Sequence, residues 1–187
     1  GIRDKLVTGV QTCALPICLV EDHWLLWLLG AYVVNQACMN LVRPMVSYRA
    51  LALGVDAGGL GFLSAAFSVA PLVIALRLGR LLDTRGERPF ILAGTVLMGL
   101  VALGLAATTS TALVFLLFTL FGLGHLATTV ATQGMVARGS DERTYDQRFS
   151  AFSLSASIGQ LVGPAIAGLV AGAGPDADTT QIGRAHV

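Results

Sequence analysis

Residues 89–137 read PFILAGTVLMGLVALGLAATTSTALVFLLFTLFGLGHLATTVATQGMVA, 49 residues without one Asp, Glu, Lys or Arg. A helix rising 1.5 Å per residue crosses the roughly 30 Å hydrocarbon core of a bilayer in about 20 residues. The stretch is therefore long enough for two crossings. Its natural break is Thr108-Thr109-Ser110-Thr111, a small polar cluster with turn composition. Working outward, Trp24–Val42 gives 19 uncharged residues, Ala57–Leu76 gives 20 and Phe149–Pro175 gives 27. Together these runs predict five spans, at 24–46, 57–78, 89–107, 112–137 and 148–172.

The runs are far longer than the ~10 residues of a barrel strand and lack period-two alternation. Helices also satisfy their own backbone hydrogen bonds in lipid. The fold class read from this pattern is all-α, a polytopic helical membrane protein. Composition agrees. Of 187 residues 55% are hydrophobic and only 12% charged, against roughly 25% charged in a soluble domain. The 22 glycines suit close helix packing in lipid. A formal charge of +1 is too balanced for a nucleic-acid footprint, so no nucleic-acid partner is expected, and the apolar runs make the lipid bilayer the expected partner.

The two ends read differently. Val7–Ile17 is VTGVQTCALPI and Gln181–Val187 is QIGRAHV, and the first residue is Gly1 rather than Met. Both peptides resemble translated frames of a common short-read sequencing adapter, one from each strand. That resemblance implies non-native segments at 1–18 and 181–187, with Cys18 and Gln181 as junction codons, and leaves 19–180 to be read for fold. Setting the ends aside removes Arg3, Lys5 and Arg184 against Asp4, and the charge of +1 becomes −1. The spacing of Cys13 and Cys18 matches no redox pair, and Cys38 reads as a small hydrophobe in an apolar helix. No metal site, cofactor or catalytic residue is expected.

Arginine sets the orientation. Arg77, Arg80, Arg85 and Arg88 lie between the second and third spans, and Arg138, Arg143 and Arg148 between the fourth and fifth. The alternate connections carry only Arg43 and Arg49. Seven against two places the arginine-rich connections in the cytoplasm by the positive-inside rule. The N-terminus is then cytoplasmic, with Trp24 and Trp27 at headgroup level. The polar stretch Ala173–Thr180 reads as a loop toward a sixth span.

Two motifs carry mechanism. The first runs Gly79-Arg80-Leu81-Leu82-Asp83-Thr84-Arg85-Gly86-Glu87-Arg88-Pro89. Gly79 allows close helix approach, Gly86 allows a tight turn with φ > 0, and Pro89 suits the start of a helix. On the residues alone this is equally a solvated basic turn that fixes topology. The second is Gly159-Gln160-Leu161-Val162-Gly163-Pro164-Ala165-Ile166-Ala167-Gly168. Here Pro164 frees the carbonyl of Gln160, predicting a kink, and Gly159 and Gly163 form a small-xxx-small face.

The first motif resembles the signature between helices 2 and 3 of the major facilitator superfamily, roughly G-x-L-A-D-R-x-G-R-R. Gly79, Leu81, Asp83, Gly86 and Arg88 match, while Thr84 and Glu87 stand where basic residues are usual. The resemblance implies a cytoplasmic latch, with Asp83 and Arg88 in its acid and basic roles. The second motif resembles the G-x-x-x-G-P-x-x-G-G run of the superfamily's antiporters, with Ala167 in place of one glycine, and implies efflux. Drug–proton antiporters of the family often carry an Arg shortly before a Gly-x-Gly in the fourth helix. Here Gly122-Leu123-Gly124 is present and Phe118 occupies the Arg position. The resemblance makes 19–180 five helices of a six-helix half, a partial N-terminal transmembrane domain in a bacterial inner (plasma) membrane, inactive alone.

Polar residues within the spans fall on helical faces. His125, Thr128, Thr129, Thr132 and Gln133 follow i, i+3, i+4, i+7 and i+8. Gln36, Asn40 and Arg43 form a second stripe, and Ser153, Ser157 and Gln160 a third. Such groups in a bilayer face a cavity or bond a neighbouring helix. In the superfamily helices 1 and 4 line the central pathway, so Gln36, Asn40, Arg43, His125, Thr129, Thr132, Gln133 and Gln160 are the pathway candidates. Imidazole is the side chain among these that ordinarily titrates near neutral pH, making His125 the proton-site candidate. The resulting expectation is a secondary transporter working by alternating access, exporting a small solute or drug by proton-coupled antiport. The alternatives are an uptake carrier or facilitator of the same superfamily and a non-transporting membrane sensor.

Overall fold

The computed structural model describes residues 23–172. The adapter-like ends, Cys13, Cys18 and the Ala173–Thr180 stretch lie outside the described residues. Five helices follow one another: α1 His23–Ala52, α2 Ala57–Arg85, α3 Arg88–Ala107, α4 Thr111–Arg138 and α5 Tyr145–Gly172. All five are long and apolar enough to cross a membrane. Among the described residues there is no strand.

The helices start and stop for local reasons. Asp56 caps α2, its carboxylate accepting from the Gly59 N–H at 2.9 Å. Gly86 has φ +78° and donates its N–H to the Leu82 carbonyl, which closes α2 in a conformation that favours glycine. Glu87 and Pro89 open α3, the proline in the first turn where its missing N–H costs nothing. Thr108–Ser110 separates α3 from α4, where the polar cluster placed the break.

Helix ends differ from the uncharged runs. α1 continues past Arg43 and Arg49 to Ala52, and α2 continues through Arg77 and Arg80 to Arg85. Hydropathy marks the segment that lipid tolerates, whereas the helix ends where a cap or a positive φ stops it. Most of the Gly79–Pro89 motif is consequently helix, and the connection itself is only Gly86-Glu87. α1, α2 and α5 each continue through an internal proline, at Pro44, Pro71 and Pro164.

α4 lies against α3 and α2 along much of its length, and α1 lies mainly along α5. Two apolar clusters hold the bundle. One joins Met39 and Val46 of α1, Phe67 of α2, Met98 of α3 and Phe121 of α4. The other, toward the Trp24 end, joins Leu25, Leu29 and Tyr32 of α1 with Val136 of α4 and Phe152 of α5. Outward faces of α2 and α3 carry Leu72, Leu76, Leu100 and Leu103 exposed, a surface that suits lipid and not water.

Candidate functional site

A polar belt lies between the two apolar clusters. On α1 the clusters stop at Tyr32 and resume at Met39; on α4 they stop at Phe121 and resume at Val136. The intervening positions are Asn35 and Gln36 on α1, and His125, Thr128, Thr129 and Thr132 on α4. Gln36 Oε1, Asn35 Oδ1, His125 Nδ1 and Thr129 Oγ1 are all buried without a hydrogen-bond partner among the described residues. Leaving such a group unpaired costs about 1–3 kcal/mol in a protein interior. The four lie at one level of α1 and α4 and form a layer of unpaired polar atoms.

The expected face of α4 divides in two. Thr128 donates to the Gly124 carbonyl at 3.0 Å and Thr132 to the Thr128 carbonyl at 2.7 Å, so both hydroxyls are spent on their own helix. Thr128 also packs toward Gly94 of α3, where the α3 and α4 backbones cross closely. Thr129 instead faces the hydroxyl of Tyr32 without closing a hydrogen bond. Arg43 lies within electrostatic range of His125. Gln133 is exposed one helical turn from Thr129.

The α1 stripe runs along the edge of α5. A Cβ on Gly159 would lie 2.5 Å from Gln36 Cβ and 2.6 Å from the Val33 carbonyl oxygen. One on Gly163 would lie 2.5 Å from the Ala37 carbonyl oxygen and 2.9 Å from Asn40 Cβ. Both glycines therefore let α1 and α5 touch backbone to backbone, at the level of Gln36 and Asn40. Asn40 donates to the Gln36 carbonyl at 2.8 Å. Gln160, Ser153 and Ser157 are exposed on α5, and Pro164 is exposed beside Gly163. Gly168 lies away from this contact, with open space around it.

Arg43 brings charge to the belt. Its Cζ lies 5.6 Å from the centroid of Phe67, and the Phe67 and Phe118 rings lie 4.7 Å apart. Phe67 is at the middle of the uncharged run Ala57–Leu76, so the guanidinium lies beside the apolar part of α2 rather than at its end. Placing such a charge in lipid costs about 2.5–3.5 kcal/mol on insertion scales. The exposed side of Arg43 must then open onto water or other protein.

The Gly79–Pro89 motif organises around a different partner from the one its own arginines suggested. Arg138, at the end of α4, places Nη2 2.9 Å from Asp83 Oδ1 and Nε 2.9 Å from Glu87 Oε1. Glu87, a departure from the family pattern, is the more buried acid, at 12% side-chain exposure against 74% for Asp83. Arg88 is exposed, and Gly79 has open space rather than a neighbouring helix. Trp24 rests on Gly139, Arg148 stacks over Trp24 at 5.7 Å, and Arg148 donates to the Gly139 carbonyl.

Sequence reasoning missed Tyr32, Asn35 and Arg138. Tyr32 lies one turn before Gln36 on its stripe, a signal that was present. Asn35, which donates to Met98 Sδ at 3.3 Å, is a polar side chain at mid-span next to Gln36 and was equally visible. Arg138 stands 55 positions from Asp83, and spacing offers nothing to pair them. Among the described residues no group of His, Cys, Asp and Glu is arranged to hold a metal.

A family model described as Major Facilitator Superfamily matches residues 28–176. Comparison with curated proteins gives no match.

Proposed function

The chain belongs to the major facilitator superfamily of transporters, and from that premise we propose that it serves outward transport of a small solute or drug by proton-coupled antiport. The polar belt is the part of the pathway that α1, α4 and α5 contribute, and alternating access exposes it to each side in turn. The observation that carries the efflux reading is the α1–α5 contact at Gly159 and Gly163, directly before Pro164. This glycine-proline arrangement resembles the superfamily's antiporters, and it holds α5 against the helix that bears Gln36, Asn40 and Arg43.

His125 is the proposed proton carrier, and the charged group facing it is Arg43. Seven arginines on the two connections at the Trp24 end, against Arg43 and Arg49, support a cytoplasmic N-terminus; the membrane we propose is a bacterial inner membrane. The Arg138 bridge to Asp83 and Glu87 would then be the cytoplasmic latch, with Gly86 shaping its turn, Arg88 exposed at the start of α3 and Gly79 two turns back in α2.

Everted vesicles containing the protein test the reading. His125→Ala is expected to remove most of the pH-gradient-driven flux while leaving membrane insertion intact. Flux unchanged by that substitution, under an imposed gradient, would sink proton coupling through His125. One observation favours a second reading. Phe118, buried in the ring pair with Phe67, stands where the drug–proton antiporters place Arg. An uptake carrier or facilitator of the same superfamily fits that position, and flux independent of the gradient would identify it.

A further inference from the structure

The charge inventory of the belt points to the chemical class of its ligand, granted that the belt is the transport pathway. All acids among the described residues, Asp56, Asp83, Glu87, Asp141, Glu142 and Asp146, lie at helix ends or in connections. None lies within the interior of a helix. Arg43 is therefore a cation within an apolar helix, beside Phe67, with no carboxylate at its level among the described residues. An aromatic face attracts a guanidinium but does not neutralise it. From Arg43 toward the Trp24 end the helices carry neutral polar groups: Gln36 Oε1, two turns back on α1, and His125 Nδ1 and Thr129 Oγ1 on α4 are buried and unpaired.

At 100° per residue Arg43 lies on the same side of α1 as Tyr32 and Gln36. Tyr32 stacks on Phe152 of α5 at 4.6 Å and faces Thr129 of α4. The stripe thus opens on the junction of α1, α4 and α5. Through the Phe67–Phe118 pair, the positive charge also arrives beside the α4 position that lacks its family arginine.

We propose that this belt binds a hydroxylated organic anion, whose acid group pairs with the Arg43 guanidinium and whose hydroxyls donate to Gln36 and the neighbouring unpaired acceptors. Arginine suits both carboxylate and phosphate through its fork of N–H donors. The open amide oxygen explains why a ligand carrying hydroxyl donors is preferred over a bare anion. A cationic drug finds no acid at this level among the described residues.

The experiment is equilibrium binding to the purified chain in lipid nanodiscs, with four probes: gluconate, glycerol 3-phosphate, the neutral polyol glucitol and the cation N-methylglucamine. Gluconate or glycerol 3-phosphate is expected to bind at least about tenfold more tightly than glucitol, and the stronger of the two identifies carboxylate or phosphate ester as the source. Arg43→Gln is expected to abolish that preference and Arg43→Lys to retain part of it. Equal binding of anion and polyol, tighter binding of the cation, or an anion preference that survives Arg43→Gln overturns the proposal. So does absence of binding by every probe. The pathway reading is tested separately by reaction of the Gln133→Cys variant with a membrane-impermeant maleimide, with Cys13, Cys18 and Cys38 replaced. Labelling of that variant without anion binding refutes the ligand class alone, whereas failure of the variant to label refutes the pathway.

Discussion

Gly159 and Gly163 are positions where a single carbon decides whether two helices can meet. A methyl group on either would fall within 2.6 Å of an α1 carbonyl oxygen, too close for any side chain to yield. Gly163→Ala is expected to cost about 1–3 kcal/mol, the usual range for forced overpacking, measured by reversible unfolding in mixed micelles. Gly168→Ala is the control. Nothing surrounds that position, so the change is expected to be neutral or to gain up to about 1 kcal/mol from helix propensity. Equal losses at the two sites would contradict the packing described. The small-xxx-small spacing was legible in the sequence; which helix receives it was not. Asp83 shows the same limit, since four nearby arginines obscured a partner that tertiary folding brings from α4.

At the scale of elements, the turn between α2 and α3 is two residues long and depends on one backbone angle. Gly86→Ala forces an L residue to φ near +78°, at a cost of about 1–2 kcal/mol. Substituting Asp83 by Asn should change stability by less than about 1 kcal/mol, because exposed ion pairs contribute little. Glu87→Gln should cost more than that, because the Glu87 carboxylate is largely covered and ties Arg138 of α4 to the start of α3. A larger effect at Asp83 than at Glu87 would reverse this ranking. The five spans were readable because lipid tolerates charge so poorly that gaps between charges mark them. Their ends were not readable, because capping by Asp56 and the φ of Gly86 are local events that hydropathy does not register. On α4 the periodicity placed five polar residues on one face, but Thr128 and Thr132 turn back to their own carbonyls. Sequence spacing gives direction and is silent on which hydroxyls remain available.

The whole molecule has an inverted division of surface. Large apolar side chains such as Leu72, Leu76, Leu103 and Leu161 are more than two-thirds exposed, while Asn35, Gln36, Thr128 and Thr132 are buried. Alkaline carbonate washing of membranes should therefore leave the chain in the pellet, and release into the supernatant would count against integral insertion. The central claim is that the faces of α4 and α5 bearing Gln133 and Gln160 meet water while the outer faces of α2 and α3 meet lipid. Single cysteines in a cysteine-free background test it most directly, using a membrane-impermeant maleimide supplied to both sides of proteoliposomes. Gln133→Cys and Gln160→Cys are predicted to react, and Leu72→Cys and Leu100→Cys to stay unmodified. Labelling of the leucine positions with the glutamine positions silent would contradict the account.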